Sequence, residues 1–361
     1  MNLLYTDIET DLRASVRDLL TDRAAPADVL ARCESDQPYD LDLWRALTGI
    51  GAASLHVPEE LGGQGATLRE TAVVMEELGR FVAPVPFLGS AVLATTALLG
   101  CKPTEEVRSL LDSLGNGSTI ATLAVSLATA PGSTVPDAIR ADSGLSGRVR
   151  SVADALAADV LVVPAQGPGG LELHAVPVAQ QGVTVTPVTS LDLTRPIADV
   201  TLDGVTSTVL AGPESAESAV DGALWTTAGL LASEQLGIAE WCLDTTVAYL
   251  KDRHQFGRPV GSFQALKHRL ADVWQDLVLA RAVARNAADD PGPVSASLAK
   301  SLCSTVAVHA AEECVQLHGG IGMTWEHPAH LYLKRAKADS IALGTAGQHR
   351  QLLAPHANIM P

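Results

Sequence analysis

Apolar residues recur at helical spacing through the first third of the chain. Five aliphatic side chains stand four residues apart near the N-terminus: Leu4, Ile8, Leu12, Val16 and Leu20. This spacing predicts one buried face of an amphipathic helix. After a turn-rich break at residues 56–65, which reads HVPEELGGQG, helical spacing resumes over residues 68–81. The pattern therefore predicts an N-terminal α-helical domain over residues 1–115.

The pattern changes between residues 116 and 212. Short β-branched runs occur at residues 119–125, 160–163, 171–176, 183–188 and 200–202. Clusters of Gly, Pro and Asp separate the runs, as in QGPGG at residues 166–170. Strands at this spacing predict a middle β domain over residues 116–212.

Helical spacing returns in residues 213–361, which are rich in Ala and Leu. The pattern predicts four helices: residues 216–250, a helix N-capped by Ser262, residues 294–317 and residues 328–341. The tripeptide Pro-Gly-Pro at residues 291–293 ends the second of them. The predicted fold is thus mainly α with a central β domain, in the order helical domain, β domain, helical bundle.

Composition excludes several classes of protein. Apolar residues make up 47% of the 361 residues and charged residues only 18%, which is enough apolar surface for large cores and excludes a disordered chain. The formal net charge is −16, so the chain repels phosphate backbones and a nucleic-acid partner is not expected. A nucleotide cofactor stays possible, because a single local Arg suffices to bind it.

The cysteines and the apolar runs indicate a cytoplasmic protein. Five cysteines are scattered without a CxxC pair, which argues for a reducing compartment and against a disulfide framework or a zinc site. No uninterrupted apolar run is long enough for a membrane span. Glu326, His327 and His330 lack further ligands and are interpreted as a solvated helix start, so no metal site is predicted.

Two stretches carry candidate binding chemistry. Residues 253–272 read RHQFGRPVGSFQALKHRLAD, where Arg253 suits a pyrophosphate, Phe256 can cover a ring and Gln264 begins the next helix. The alternative is a helix C-terminus whose cations answer its dipole. Residues 316–322 read QLHGGIG, where Gln316 offers a donor and an acceptor and glycines permit close approach. The alternative there is a glycine C-cap.

Together these stretches, with EHP at residues 326–328 and VPEELGG at residues 57–63, strongly resemble the acyl-CoA dehydrogenase family over nearly the whole chain. The resemblance implies that family's fold: an α-helical N-domain, a β-barrel-like middle domain and a C-terminal four-helix bundle. It also implies a dimer or tetramer with FAD at a subunit interface. In the family a Glu takes the α-proton of an acyl-CoA while the flavin takes the β-hydride.

The resemblance assigns this chain one half of a cofactor site. Arg253, Phe256 and Gln264 match positions that reach the neighbouring subunit's FAD. Gln316, Gly319 and Gly320 match the segment around the adenine and pyrophosphate end of that FAD.

The other half of the site lacks the residues that the family usually carries. Family members have a Thr-Glu-Pro loop and a Trp-Ile-Thr segment beside the flavin ring, whereas residues 123–132 read LAVSLATAPG and residues 149–154 read VRSVAD. The usual base position before Gly-Thr is Leu343, and the alternative base position falls near Thr227. Glu234 is a conceivable substitute base, although a surface or interface glutamate is the favoured interpretation.

We therefore expect a non-catalytic partner subunit. Heteromeric members of the family pair two different chains in an α2β2 tetramer with one complete FAD site per pair, and such pairs resemble those that act on steroid-CoA substrates in bacterial sterol degradation. Loss of one site could open room for a large acyl group. An electron-transfer flavoprotein is the implied electron acceptor. The alternatives are a homomeric dehydrogenase that uses Glu234 and a flavin-free scaffold protein.

Overall fold

The computed structural model describes residues 3–133 and 138–357 of the chain. It begins with helices and short 3-10 turns. The N-terminal α-helices are α1 (Asp7–Arg23), α2 (Pro26–Cys33), α3 (Leu41–Gly49), α4 (Leu68–Phe81), α5 (Thr95–Leu99) and α6 (Glu105–Gly115). A π-helical segment, Phe87–Ala94, leads directly into α5.

Capping boxes fix where two of these helices start. The Thr6 hydroxyl accepts the backbone N–H of Glu9, whose carboxylate accepts the N–H of Thr6, and Thr67 and Glu70 begin α4 with the same residue pattern. The predicted apolar face of α1 is only partly right. Val16 and Leu20 are fully buried, but Ile8 is 71% exposed. A step of four residues overshoots the helical turn by about 40°, so the stripe drifts off the buried face.

The middle of the chain forms one mainly antiparallel sheet. Its strands are β1 (Ala121–Leu123), β2 (Ile139–Ala141), β3 (Leu145–Ala153), β4 (Val160–Gly167), β5 (Gly170–Pro177), β6 (Val183–Val188), β7 (Ile197–Val205) and β8 (Thr208–Ala211). The strand order is β6-β7-β3-β2-β4-β5-β8, and β1 pairs in parallel with β4. The predicted runs correspond to β1, β4, β5, β6 and β7. β2, β3 and β8 were missed, and in β3 polar residues, including two arginines, interrupt the buried positions.

The last third of the chain is a helical bundle. It contains α7 (Ala216–Asp252), α8 (Gln264–Asp289), α9 (Pro293–His318), α10 (Ala329–Ile341) and α11 (Ala346–Leu353). A two-stranded hairpin, β9 (His254–Gln255) and β10 (Arg258–Pro259), lies between α7 and α8. The fold class is thus confirmed, and the exact domain limits stay predictions.

The N-terminal helices and the bundle share one apolar core, while a second core lies against the sheet. The contact between α4 and α7 is especially close at two glycines. A Cβ at Gly237 would lie 1.9 Å from the carbonyl oxygen of Glu76, and one at Gly79 would lie 2.1 Å from that of Glu234. Only glycine permits this backbone approach. The middle of α7 is consequently buried on all sides, from Leu230 to Glu240.

Candidate functional site

The hairpin after α7 carries an aromatic side chain in an unusual position. Phe256 and Gly257 are its two turn residues, with φ of 55° and 76°. Positive φ at both central residues is the geometry of a type I′ turn, which favours Asn-Gly rather than Phe-Gly. Phe256 is also 90% exposed. A large apolar side chain is therefore held outward on a backbone that costs free energy for any residue with a Cβ.

A second aromatic side chain and a cation lie next to the turn that carries Phe256. The guanidinium of Arg258 lies 3.9 Å from the ring centroid of Phe263, and the Phe256 ring meets Phe263 edge-on at 6.1 Å. Sequence analysis did not assign these two residues to the site, although both lie inside the recognised motif. Arg253 is the C-cap residue of α7 and is exposed, so the helix-end interpretation of this cation also holds.

Ser262 as N-cap would start helix α8 at residue 263, but the helix starts one residue later. Gln264 is its first residue and is exposed, while Phe263 is the N-cap. The prediction that Ser262 caps this helix is wrong, because Ser262 belongs to a 3-10 turn and its hydroxyl has no hydrogen-bond partner. The side chain of Phe263 has no hydrogen-bond acceptor, so no side chain of the N-cap residue bonds the first N–H groups of α8.

The end of α9 is open on its outer side. Gly319 is the C-cap residue, which agrees with the alternative interpretation from the sequence. Gln316, Gly319 and Gly320 are exposed, and a Cβ at either glycine would meet no atom within 4 Å. His318, between them, is buried and stacks on Tyr249 of α7 with ring centroids 4.4 Å apart. Ligand or partner backbone can therefore approach these glycines from solvent.

The structure brings the six predicted cofactor contacts to one end of the bundle. The stack of Tyr249 on His318 joins the end of α7 to the end of α9. Arg269 of α8 forms a bidentate ion pair with Glu313 of α9, with both N–O distances 2.7 Å. We call residues 253–264 and 316–320 the arm. In a chain of net charge −16, residues 253–264 of the arm carry two arginines and no acidic side chain.

The position that the family uses for its base is closed. Leu343 is fully buried and adopts φ of 54°. Its N–H donates to the carbonyl of Leu127 at 2.7 Å, and the N–H of Leu127 donates to the carbonyl of Ser151 at 2.9 Å. These residues come from the base position and from the two segments that usually border the flavin ring. We call Leu127, Ser151 and Leu343 the closed junction.

A buried histidine supports the closed junction from α11. Nε2 of His349 lies 2.9 Å from the Leu343 carbonyl oxygen, which only accepts, so Nε2 carries the proton. Burial lowers the pKa of His349, which keeps the ring neutral. Nδ1 is then the acceptor for the Ser297 hydroxyl at 3.3 Å. Trp225 meets His349 edge-on at 6.2 Å. Sequence analysis missed all three of these supporting residues.

A buried lysine holds the next carbonyl. Nζ of Lys300 donates to the carbonyls of Asp339 and Gly344 and to the Ser304 hydroxyl, at 2.8, 3.2 and 2.9 Å. Burial lowers the pKa of Lys300 to about 8. All three ammonium protons have acceptors, as a buried ammonium requires. The Lys300 ammonium therefore has a structural role.

Thr227 and Glu234 both make hydrogen bonds within the chain. Thr227 is buried and its hydroxyl donates to the Ala223 carbonyl at 2.6 Å. Glu234 is 2% exposed, so its interpretation as a surface residue is wrong. Oε1 of Glu234 accepts hydrogen bonds from Arg195 and Arg335, each at 2.7 Å. Burial raises the pKa of Glu234, but the two guanidinium charges outweigh burial and hold the pKa below its usual range.

The ion pairs of Glu234 belong to a larger buried network. Nη1 of Arg195 lies 2.6 Å from Oδ1 of Asp339, and Nε of Arg335 lies 2.7 Å from Oδ2 of Asp192. Burial and the nearby Glu234 raise the pKa of Asp339 to about 8. The network joins the loop before β7 to α7 and α10. Removing one partner from such a network leaves an uncompensated buried charge, at a cost of about 3–5 kcal/mol.

The two parts of the site differ in how they fit FAD. The arm presents exposed Phe, Gln and Arg side chains, with open space over Gly319 and Gly320, which suits the adenosine and pyrophosphate end of a nucleotide. The closed junction does not fit the flavin ring, because its three segments bond directly to one another. It also contains no proton acceptor at Leu343.

Comparison with known proteins identifies the family of this chain. The family model described as acyl-CoA dehydrogenase, N-terminal domain, matches residues 6–109, and the one described as acyl-CoA dehydrogenase, C-terminal domain, matches residues 219–357. The chain is 38% identical over 334 residues to the acyl-CoA dehydrogenase IpdE2 of Mycolicibacterium smegmatis. That alignment covers 92% of this chain and 93% of IpdE2.

Two similar solved structures contain paired chains or a steroid enzyme. The ChsE4-ChsE5 complex from Mycobacterium tuberculosis has a chain that is 29% identical, with a TM-score of 0.88 and full coverage of both chains. A variant of the Tcur3481-Tcur3483 steroid acyl-CoA dehydrogenase is 31% identical, with a TM-score of 0.85, and covers 98% of this chain and 99% of that one. Within residues 3–133 and 138–357, no helix has the length and apolar composition needed to cross a bilayer.

Proposed function

This chain belongs to the acyl-CoA dehydrogenase family, a family of oxidoreductases, and we propose that it is the base-less subunit of a heteromeric, FAD-dependent member. In this proposal a second family member supplies the base and the flavin wall. This chain contributes the arm to that subunit's FAD, in an α2β2 assembly with one complete site per pair. The reaction is α,β-dehydrogenation of an acyl-CoA thioester, for which the flavin supplies the hydride acceptor.

The single observation that carries the proposal is the closed junction. A base must lie within hydrogen-bond reach of the proton that it removes. Leu343 has no ionisable group, and it is buried with its N–H bonded to Leu127. Neither Thr227 nor Glu234 replaces the base, because the first donates within its own helix and the second is bound by two arginines.

The arm supports the proposal that this chain contacts the FAD of the partner subunit. Phe256 makes an edge contact with Phe263 yet remains 90% exposed on a strained turn. Burial of Phe256 against a cofactor or a partner chain would recover the free energy of the exposed ring, about 25 cal/mol for each Å² of apolar surface removed from water. Arg253 and Gln316 present polar groups at the same end of the bundle. These features suit contacts across a subunit interface.

The substrate class rests on the relatives alone. One similar structure is a steroid acyl-CoA dehydrogenase and another is a complex of two ChsE proteins. We propose, by that analogy, a bulky acyl-CoA such as a steroid side-chain thioester, with an electron-transfer flavoprotein as acceptor. The homomeric alternative requires Glu234 as base, which its ion pairs disfavour. The scaffold alternative predicts no flavin in any complex.

The deciding experiment is purification of this chain alone and together with a family member encoded beside it that keeps the Glu and the Thr-Glu-Pro loop. We expect a colourless or unstable chain alone, and a yellow complex that oxidises acyl-CoA when both chains are present. Replacing the partner's base by Gln should abolish turnover, whereas Thr227→Val in this chain should leave turnover unchanged. A yellow, active homomer of this chain would overturn the proposal, and a colourless complex would favour the scaffold.

A further inference from the structure

Two buried cysteines are neighbours where α7 packs on α9. Cys242 of α7 is 0% exposed and Cys314 of α9 is 1% exposed. Their side chains share a hydrogen bond, in which the Cys242 thiol donates and the Cys314 sulfur accepts. Neither cysteine belongs to the arm, to the closed junction or to the buried ion-pair network. Sulfur atoms that share a hydrogen bond already meet the first requirement of a disulfide, which is proximity.

A histidine one turn further along α9 contacts the same sulfur. Nδ1 of His318 lies 2.7 Å from the Cys314 carbonyl oxygen, which only accepts, so Nδ1 carries a proton. The same nitrogen lies 3.7 Å from Sγ of Cys314. Within residues 3–133 and 138–357, the buried Nε2 of His318 has no hydrogen-bond partner, so it can take a second proton. The ring therefore offers an N–H, and a positive charge when doubly protonated, to a sulfur anion.

The five cysteines, all in the part of the chain that the structure describes, differ in acidity. The hydrogen bond from Cys242 lowers the pKa of Cys314 to about 5, although burial opposes the shift. Burial raises the pKa of Cys33 and of Cys101 to about 11, and that of Cys303 to about 12. Burial also raises the pKa of Cys242, so its thiol stays protonated. Because the thiolate is the nucleophilic form, Cys314 is the cysteine expected to react first.

The position of Cys314 near the end of α9 gives a small oxidant a route to it. Gly319, the C-cap residue, is exposed and lies five residues after Cys314, about 7.5 Å along the helix axis. Half-buried His327 covers His318, with ring centroids 4.2 Å apart. Helix ends open locally at a small cost in free energy. Opening of this last turn would let an uncharged molecule of the size of hydrogen peroxide reach the sulfur.

We propose that Cys314 and Cys242 are a reversible redox pair, in which hydrogen peroxide oxidises Cys314 and Cys242 then closes a disulfide between α7 and α9. A reactive cysteine beside a resolving cysteine is the arrangement of redox-sensing proteins. Transient disulfides of this kind occur in reducing compartments, where structural disulfides are rare. The cross-link would join the two helices whose ends carry the arm. The proposal does not depend on the proposed function, because it concerns only side chains of this chain.

The two steps balance in atoms and electrons. The Cys314 thiolate attacks one oxygen of the peroxide, so that an S–O bond forms, the O–O bond breaks and hydroxide leaves to become water. The Cys242 sulfur then attacks the Cys314 sulfur, so that the S–S bond forms, the S–O bond breaks and the second hydroxide leaves with the Cys242 proton as water. Together the two thiols lose two protons and two electrons, and one peroxide becomes two waters.

The test is titration of the full chain with hydrogen peroxide, in the assembly in which it purifies, followed by mass spectrometry. We expect the first oxidised species to lack two hydrogens and to yield a peptide pair joined through Cys242 and Cys314. Dithiothreitol should restore the original mass. Oxidation of Cys33, the most exposed of the five cysteines, before any cross-link forms would overturn the proposal. So would a chain in which Cys242 and Cys314 both stay free.

Two serine variants assign the roles within the pair. Cys242→Ser removes the resolving thiol, so peroxide should leave a sulfenic acid at Cys314 that a 1,3-diketone probe labels. Cys314→Ser removes the nucleophile, so Cys242 should stay unlabelled. Cys303→Ser, at another buried position of α9, is the matched control and should form the cross-link at the wild-type rate. Equal labelling of the remaining cysteine in the first two variants would overturn the assignment.

His318→Phe tests whether the histidine activates Cys314. Phenylalanine keeps a ring to stack on Tyr249 but removes the N–H next to the sulfur. We expect the cross-link to form about threefold or more slowly at pH 7, with a smaller difference at pH 9, where the thiol ionises without help. A purely structural role would leave the pH profile unchanged. An unchanged rate and profile would overturn the activating role of His318.

Discussion

Phe256 in the arm and Leu343 in the closed junction share one backbone conformation. Their φ angles are 55° and 54°, in the left-handed region that residues with a Cβ rarely adopt. Their surroundings are opposite, because Phe256 is 90% exposed and Leu343 is fully buried. Hydrogen bonds of both its N–H and its carbonyl hold Leu343 in place. The Phe256 ring, by contrast, makes an edge contact with Phe263 at 6.1 Å and stays exposed.

The unfavourable backbone conformation is therefore offset in different ways at the two residues. At Leu343 the strain is compensated within the chain and has a structural explanation. At Phe256 the proposed function places the compensation outside the chain, in a contact with the cofactor or the partner subunit. The same observation therefore marks a closed half-site at one residue and an open arm at the other. The predictions below test each side of this contrast, beginning with the largest expected effect.

The buried ion-pair network predicts a large loss of stability from Glu234→Ala. The substitution leaves Arg195 and Arg335 buried without this shared partner, and we expect the free energy of unfolding to fall by about 3–5 kcal/mol. Urea denaturation followed by circular dichroism measures the loss. Glu217→Gln, an exposed position on the same helix, should change stability by less than about 1 kcal/mol. A loss below 1 kcal/mol for Glu234→Ala would mean that the network is not buried as described.

Asparagine at residue 343 tests burial against backbone strain directly. Leu343→Asn relieves the positive φ but replaces a fully buried apolar side chain with an amide. We expect burial to dominate, with a net loss of about 2–4 kcal/mol in the same denaturation assay. A neutral or stabilising result would show that the junction is open to water.

The raised pKa of Asp339 predicts a pH dependence of stability. Asp339 is protonated in the folded chain up to about pH 8 but ionises in the unfolded chain near its ordinary pKa of about 3.9. Its contribution is therefore fully present at acidic pH and is lost as pH rises toward 8, by at most about 1.4 kcal/mol per pH unit. Asp339→Asn should flatten the fall in Tm between pH 6 and 8. An unchanged slope in Asp339→Asn would contradict the assignment.

Phe256→Asn should stabilise the free chain, whereas Leu343→Asn should destabilise it. Phe256→Asn places a residue that tolerates left-handed backbone on a type I′ turn, so the free chain should gain up to about 1 kcal/mol. The complex should nevertheless lose FAD more readily, by about tenfold or more for loss of a buried aromatic contact. Thermal unfolding of the free chain and FAD release from the complex measure the two effects. Tighter FAD binding in this variant would remove Phe256 from the cofactor site.

The smallest effect is expected at Ser262. Its hydroxyl has no partner, so Ser262→Ala should leave Tm within about 1 °C of the wild-type value. Thr67→Ala is the matched control, because it removes a capping box and should cost about 1 kcal/mol. Equal losses for the two variants would restore Ser262 as the cap of α8.

The sequence was informative where its signals were local. The motif around Arg253 and Phe256 and the glycines after Gln316 were recognised from residues adjacent in the chain, and the structure places them at one end of the bundle. β3 was missed because its buried positions are separated by charged residues. The assignment of Ser262 failed because a 3-10 turn precedes α8 and moves its start to Gln264.

The buried polar groups could not be predicted in the same way. Glu234 was interpreted as a surface or interface residue because its partners, Arg195 and Arg335, are 39 and 101 residues away in sequence. Single-helix periodicity carries no information on such pairs. The middle of α7 is also enclosed on all sides, so no polar face was available to mark it. Trp225 and His349 were missed for the same reason, since their contact joins two distant helices.

The most direct test of the account is the number of FAD molecules bound per pair of chains in the purified wild-type complex, measured from extracted flavin and total protein. The closed junction and the open arm together predict one FAD per pair and none in this chain alone. One FAD bound to this chain without a partner, or two per pair, would contradict the account.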